Sequence, residues 1–228
     1  MWIKICGITN EDDALLATAL DADALGFVFA PSPRQVDAET VRDIVRRLPR
    51  EVHTVGVFRD EKPERIVEIV GRTGLQGVQL HGREPLSEVA WIRERVQFVI
   101  QAFAAGDPAL AYAKKSHADV ILVDSPDPGS GKVFDWQLAE GAPSGIRLLL
   151  AGGLTAENVG DAIRLVRPWG VDVSSGVEEA AGRKDARKLR RFIAAARQGG
   201  EDVADRAIDL TRDDEAGVTR PWDWQLDE

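Results

Sequence analysis

Apolar and polar positions alternate in blocks along the chain. Eight short runs rich in β-branched and aromatic residues occupy 2–6, 24–29, 53–58, 77–80, 98–103, 119–123, 147–150 and 171–174. Their starts lie roughly 21 to 29 residues apart, about one strand-plus-helix unit. Most are nearly continuous in apolar character, as strands covered on both faces should be. The stretches between them carry the helical period. Val41, Ile44, Val45 and Leu48 fall at i, i+3, i+4 and i+7. Ile66, Ile69 and Val70 repeat this in the next unit, where Gly71 and Gly74 are expected to end the helix. Thr9-Asn10-Glu11-Asp12 resembles a capping box with Asp in place of Glu or Gln. Thr155 is the expected N-cap of a helix through Ala162, Ile163 and Val166, closed by Pro168. Leu189, Phe192, Ile193 and Ala196 make an eighth apolar stripe.

Eight β-then-α units predict an α/β fold: a (βα)8 TIM barrel of parallel strands inside a ring of helices. The rival is an open doubly wound sheet, and it lacks its fingerprint. No GxGxxG follows the first run, and Gly129-Ser130-Gly131-Lys132 fails as a Walker loop because Val133 follows the lysine and Pro126 replaces the first glycine. After Arg197 the pattern stops, and Gly199-Gly200 opens a stretch rich in Asp, Glu and Arg. The expected organisation is a single catalytic barrel over 1–197 and an acidic, Trp-containing tail over 198–228. One oddity is that Asp223-Trp224-Gln225-Leu226 repeats Asp135-Trp136-Gln137-Leu138. A tail docked through its tryptophans, or one competing for the groove of the earlier copy, would account for it.

Composition narrows the function. The 228 residues are 44% hydrophobic and 29% charged, an ordinary globular balance that argues against disorder. No apolar run reaches the roughly 18 residues of a membrane span. The first residues enter a strand-like run directly, so no signal peptide is expected. A formal charge of −9 disfavours nucleic acid as a partner. Any anionic ligand must be held locally, against the overall field. The single cysteine, Cys6, cannot form an internal disulfide, which suits the reducing cytoplasm.

In this architecture catalytic groups come from the C-terminal ends of the strands and the loops beyond. Read in order, those ends carry Cys6, Arg34 beyond Phe29, His81, Asp124, Gly152-Gly153 and Ser174-Ser175-Gly176. Glycines directly after the last two strands let backbone N–H groups approach an anion, and this is the usual phosphate cradle of the fold. Cys6 acts as a base only as thiolate, which calls for a lowered pKa; N–H dipoles at the mouth could supply it, and the sequence does not show whether they do. Asp124 closes an apolar strand, where desolvation raises a carboxyl pKa and favours work as an acid. Together they suit a base and acid for sugar isomerisation. The Arg34 fork suits a carboxylate. His53 and His117 precede or begin strands at the opposite end and read as structural.

Several motifs together resemble one family. Lys4-Ile5-Cys6-Gly7-Ile8-Thr9, Gly26-Phe27-Val28-Phe29, Ser32-Pro33-Arg34, Val55-Gly56-Val57-Phe58 and Val78-Gln79-Leu80-His81-Gly82 are similar to phosphoribosylanthranilate isomerases. So are Asp124-Ser125, Gly129-Ser130-Gly131-Lys132 with Phe134-Asp135-Trp136, Leu150-Ala151-Gly152-Gly153-Leu154 and Val171 to Glu178. The resemblance spans about residues 2–197. It implies the Amadori rearrangement of N-(5-phosphoribosyl)anthranilate to 1-(2-carboxyphenylamino)-1-deoxyribulose 5-phosphate in tryptophan biosynthesis, without metal or organic cofactor. It further implies Asp124 as general acid, Cys6 as general base and Arg34 on the anthranilate carboxylate. Gly152, Gly153, Ser174, Ser175 and Gly176 would take the phosphate, and Asp172 or His81 the sugar hydroxyls. The loop 125–133 would fold over the substrate. The chain departs from the family pattern at Pro128 and Val133, where Gly and Thr are expected, at Ala30 before Pro31, and in its tail.

Two other functions fit the same frame. The related histidine-pathway isomerase performs this rearrangement on an aminoimidazole carboxamide, but it uses two aspartates, and Cys6 speaks against it. A barrel that binds a phosphorylated ligand without turnover would leave the acid, base and carboxylate anchor without purpose. Monomer and homodimer are equally compatible with the sequence.

Overall fold

The computed structural model of the protein describes residues 1–125, 136 and 145–210, the last six by backbone alone. Eight parallel strands close into a barrel in chain order: β1 (Trp2–Cys6), β2 (Ala24–Val28), β3 (His53–Phe58), β4 (Gly77–Leu80), β5 (Phe98–Ala104), β6 (Val120–Asp124), β7 (Leu148–Leu150) and β8 (Gly170–Val173). β1 pairs with both β2 and β8, which closes the ring and excludes the open sheet. Helices α1 (Glu11–Ala19), α2 (Ala38–Val45), α3 (Pro63–Thr73), α4 (Leu86–Arg93), α5 (Val159–Val166) and α6 (Ala186–Leu210) pack outside, with a 3-10 stretch over Pro108–Ser116. After β8 a short hairpin forms from β9 (Glu178–Ala180) and β10 (Arg183–Lys184).

The strand period of two divides the side chains between two cores. Trp2, Ala24, Val55, Phe98, Ile100, Leu122 and Leu149 fill the inside of the barrel. Ile3, Ile5, Leu25, Phe27, Val171 and Val173 point outward onto Ala14, Ala17, Val41, Ile44, Ile163 and Phe192 of the helix ring. Fully burying an aliphatic or aromatic side chain contributes about 1.5–3 kcal/mol, so wall and ring hold each other. Lys4 and Cys6 share the inner face of β1 with Trp2, a placement that matters for the site.

The helix ends depart from expectation in instructive ways. The first cap is Asn10: its Oδ1 accepts from the Asp13 N–H at 2.9 Å and its Nδ2 donates to the Asp13 carboxylate at 2.8 Å. The box is thus one residue later than Thr9, whose hydroxyl donates to Gly182 O instead. Helix α3 runs through Gly71 and stops at Gly74, which adopts φ 77°. Helix α5 starts at Val159, because Thr155 first forms a turn in which its N–H reaches Asn158 Oδ1 and its hydroxyl accepts from Glu157 N–H.

The last helix does not end with its apolar stripe. It continues past Arg197 through Gly199 and Gly200 to Leu210. A Cβ at Gly199 would lie 3.2 Å from the Gly160 Cα, and one at Gly200 would lie 2.7 Å from the Met1 Cβ. The two glycines therefore allow α6 to press against α5 and the N-terminus. The repeated Asp-Trp-Gln-Leu segments lie outside the described residues except for Trp136, which is half-buried against the outer core. No described helix is long and apolar enough to cross a membrane.

Candidate active site

Two strands end on polar residues at the same rim. Cys6 ends β1 and Asp124 ends β6. A cleft of about 230 Å³ opens between them. Its wall includes all ten residues singled out above: Cys6, Arg34, His81, Asp124, Gly152, Gly153, Asp172, Ser174, Ser175 and Gly176. His53 begins β3 at the other end, beside Trp2 and Phe98. The loop expected to cover the substrate, 125–133, lies outside the described residues apart from Ser125.

Asp124 is almost wholly enclosed, and burial pushes its carboxyl up to about 6, although the Ser125 N–H donates to it at 2.7 Å. His81 faces it, with Nε2 3.5 Å from Oδ2. On its other side His81 Nδ1 lies 3.1 Å from the Gln79 amide nitrogen. An amide N–H donating there makes Nδ1 the acceptor and puts the ring proton on Nε2, toward Asp124. Burial lowers His81 to about 4, so the imidazole is neutral at neutral pH and Asp124 faces no cation there.

Cys6 departs from expectation. Burial pushes the thiol up, and the charges of Lys4 and Lys184 only partly oppose this. Lys4 is itself fully buried and donates to Asp172 Oδ1 at 2.9 Å. Burial alone would lower Lys4, yet Asp172 and the neighbouring thiol hold it above its usual range.

Arg34 is placed by a turn in which its N–H donates to Ser32 Oγ at 3.1 Å. Its guanidinium grips Glu178 through two bonds, Nε to Oε1 at 2.8 Å and Nη2 to Oε2 at 2.7 Å. Glu178 also accepts from Lys184 Nζ at 2.9 Å, and that ammonium reaches the Cys6 carbonyl at 2.6 Å. The hairpin thus braces the ends of β1 and the second loop. Arg34 keeps further N–H groups for the cleft, flanked by Val28, Pro31 and Phe58.

The opposite flank is built of turns. Gly152 and Gly153 take φ 89° and 63°, a region closed to most residues, as the chain doubles back after β7. Asn158 fixes this turn by donating to Gly153 O at 3.0 Å. Ser175–Val177 form a 3-10 turn after β8, and the buried Ser174 hydroxyl has no hydrogen-bond partner among the described residues.

Sequence reasoning missed Lys4, Gln79, Glu178 and Lys184. The signal for Lys4 was present, since a lysine amid Trp2, Ile3, Ile5 and Cys6 is a charge inside a buried strand. Asp172 is its register partner across β1 and β8.

Comparison with known proteins agrees with this geometry. The family model described as N-(5'phosphoribosyl)anthranilate (PRA) isomerase matches residues 3–195. An N-(5'-phosphoribosyl)anthranilate isomerase of Desulforudis audaxviator is 47% identical over 203 residues, covering 86% of this chain and 98% of the relative. The crystal structure of the Thermus thermophilus phosphoribosyl anthranilate isomerase superposes with a TM-score of 0.82 at 40% identity, over 87% of this chain and 99% of that one. Another such isomerase, in complex with reduced 1-(o-carboxyphenylamino)-1-deoxyribulose 5-phosphate, gives 0.77 at 40% identity over the same shares. The chain belongs to the phosphoribosylanthranilate isomerase family.

Proposed function

We propose that the protein converts N-(5-phosphoribosyl)anthranilate to 1-(2-carboxyphenylamino)-1-deoxyribulose 5-phosphate by an Amadori rearrangement in tryptophan biosynthesis. One observation carries the reading: a thiol and a buried carboxyl, on different strands, share one cleft at one end of the barrel. Asp124, held toward its protonated form, gives its proton to the furanose ring oxygen. The C1–O bond breaks and the nitrogen lone pair forms an iminium. Cys6, as thiolate, takes the C2 proton; the C–H electrons form the C1–C2 double bond and the iminium electrons return to nitrogen. The enolamine then loses its hydroxyl proton and gains one at C1, giving the ketone. The cationic nitrogen acidifies C2, so a modest base suffices, and each proton transfer is the kind of step that contributes about 10²–10⁴-fold.

Two anionic ends orient the substrate, converting a loose encounter into a fixed one. The free face of the Arg34 fork receives the anthranilate carboxylate, with Val28, Pro31 and Phe58 beside the aryl ring. The phosphate lies on the other flank, against Gly152, Gly153, Ser174, Ser175 and Gly176. Asp172 and His81 meet the sugar hydroxyls. Acid–base steps of this kind proceed with side chains alone. A reducing cytoplasm suits an enzyme whose base is its one cysteine, since oxidation would remove the thiolate.

The test is the fall in anthranilate-adduct fluorescence when substrate is generated in the presence of the protein. Turnover supports the reading. Turnover of the aminoimidazole carboxamide substrate instead would point to the histidine-pathway reaction, and phosphate binding without either would point to a silent binder.

A further inference from the structure

Two lysines are buried beneath the cleft, and neither takes part in the steps above. Their hydrogen bonds set them apart. Lys184 Nζ donates to Cys6 O at 2.6 Å, Glu178 Oε1 at 2.9 Å and Ser174 O at 3.3 Å, so its three N–H groups are engaged and none is left for the sulphur. Lys4 donates to Asp172 Oδ1 at 2.9 Å, and the Cys6 thiol is the other group that acts on its charge.

The backbone sets this meeting up. Lys4 and Cys6 are two residues apart on one strand, so both project into the barrel. Gly26 on β2 stands opposite Cys6 in register. A Cβ on Gly26 would lie 2.9 Å from Cys6 Sγ and 3.1 Å from Lys4 Nζ. Sulphur and ammonium therefore converge over the one residue of β2 that has no side chain to part them.

We propose that Lys4 is the counter-ion of the Cys6 thiolate, a positioning residue through which a buried thiol serves as a base. The proposal rests on Cys6 being that base. Burial disfavours a thiolate, and an adjacent ammonium is what restores it. Of the charged groups facing the sulphur, Lys4 favours the thiolate most and Lys184, which shares the single carboxylate of Glu178 with Arg34, favours it less, while Asp172 opposes it. Lys4 and Asp172 therefore pull the thiol in opposite directions.

Cys6 is the only cysteine, so the pH dependence of iodoacetamide alkylation, or of ultraviolet thiolate absorbance, reads this group alone. In Lys4→Met the midpoint is expected to rise by about one pH unit or more, with kcat at neutral pH falling about tenfold and recovering as pH is raised. Lys4→Arg should hold the midpoint near the wild-type value. If Lys4→Met does not fold, Lys4→Gln, read in the same way, carries the test. An unmoved midpoint in folded Lys4→Met or Lys4→Gln overturns the proposal. Failure of the base assignment reads differently: Cys6→Ala would keep its turnover while the midpoint in Lys4→Met still moved.

Discussion

Aspartates stand at both ends of this barrel, and their surroundings differ. At the N-terminal end Asp23 and Asp119 each precede a strand and accept a backbone N–H from the strand before, Ile3 and Val99, at 2.7 Å. Each also pairs with an arginine, Arg197 at 2.9 Å and Arg93 at 2.6 Å. Those carboxylates are satisfied as anions and tie neighbouring strands together. At the C-terminal end Asp124 receives the Ser125 N–H, faces a neutral imidazole, and is pushed up to about 6 by burial. A carboxyl with its acceptors met serves the fold. One left short of donors titrates closer to neutral pH and is available for chemistry.

The largest effects should separate the two ends by activity. Cys6→Ala and Asp124→Asn are each expected to lower kcat by about 10²-fold or more, whereas Asp119→Asn should leave it within about twofold. Steady-state turnover of the three variants checks this, and an equal loss in Asp119→Asn would break the contrast. Next comes stability against pH. Folding raises the Asp124 pKa from 3.8 to about 6, so between those values the native state binds a proton that the unfolded chain has lost. Stability therefore falls as pH rises through that window, by up to about 3 kcal/mol. Asp124→Asn, permanently neutral, should be more stable than wild type by up to that amount near about pH 8 and indistinguishable below about pH 4, as urea denaturation would report.

Smaller effects sharpen the account of the rim. Arg34→Ala should raise KM about tenfold or more with little change in kcat, since a carboxylate anchor binds ground and transition states alike. Glu178→Gln keeps the side chain's shape but weakens the brace on the fork, and a rise in KM of about threefold to tenfold is expected. An unchanged KM in Arg34→Ala would remove the anchor. The smallest effect belongs to the other end: Asp119→Asn should cost about 1 kcal/mol of stability. A gain in stability instead would mean that this end is tuned like the rim.

The barrel was legible because each strand is a short, nearly continuous apolar run, and two-sided burial leaves that mark. Helix ends were less so. Asn10 and Thr9 are both good caps, and only tertiary contact with Gly182 decides between them. Gly199 and Gly200 read as a stop, because sequence does not reveal that α5 and Met1 approach closely enough to require them. At the site, strand-end position was enough to find Cys6 and Asp124. It did not reach the partners behind them, since Glu178 lies far along the chain from Arg34 and Lys4 is concealed within an apolar strand. The direction of the Cys6 shift is not legible in the sequence either, because dipoles at a mouth are a local feature and the depth of burial is not.

The central claim is that thiol and carboxyl act on one substrate from two sides, and the most direct measurement is a crystal structure of this protein with the reduced product analogue. The account predicts Cys6 Sγ about 3–3.5 Å from C2, an Asp124 oxygen within hydrogen-bond reach of the oxygen on C4, and the phosphate against Gly153 and Ser174. A sugar lying with C2 out of reach of the sulphur, or with its phosphate at Arg34, would contradict it.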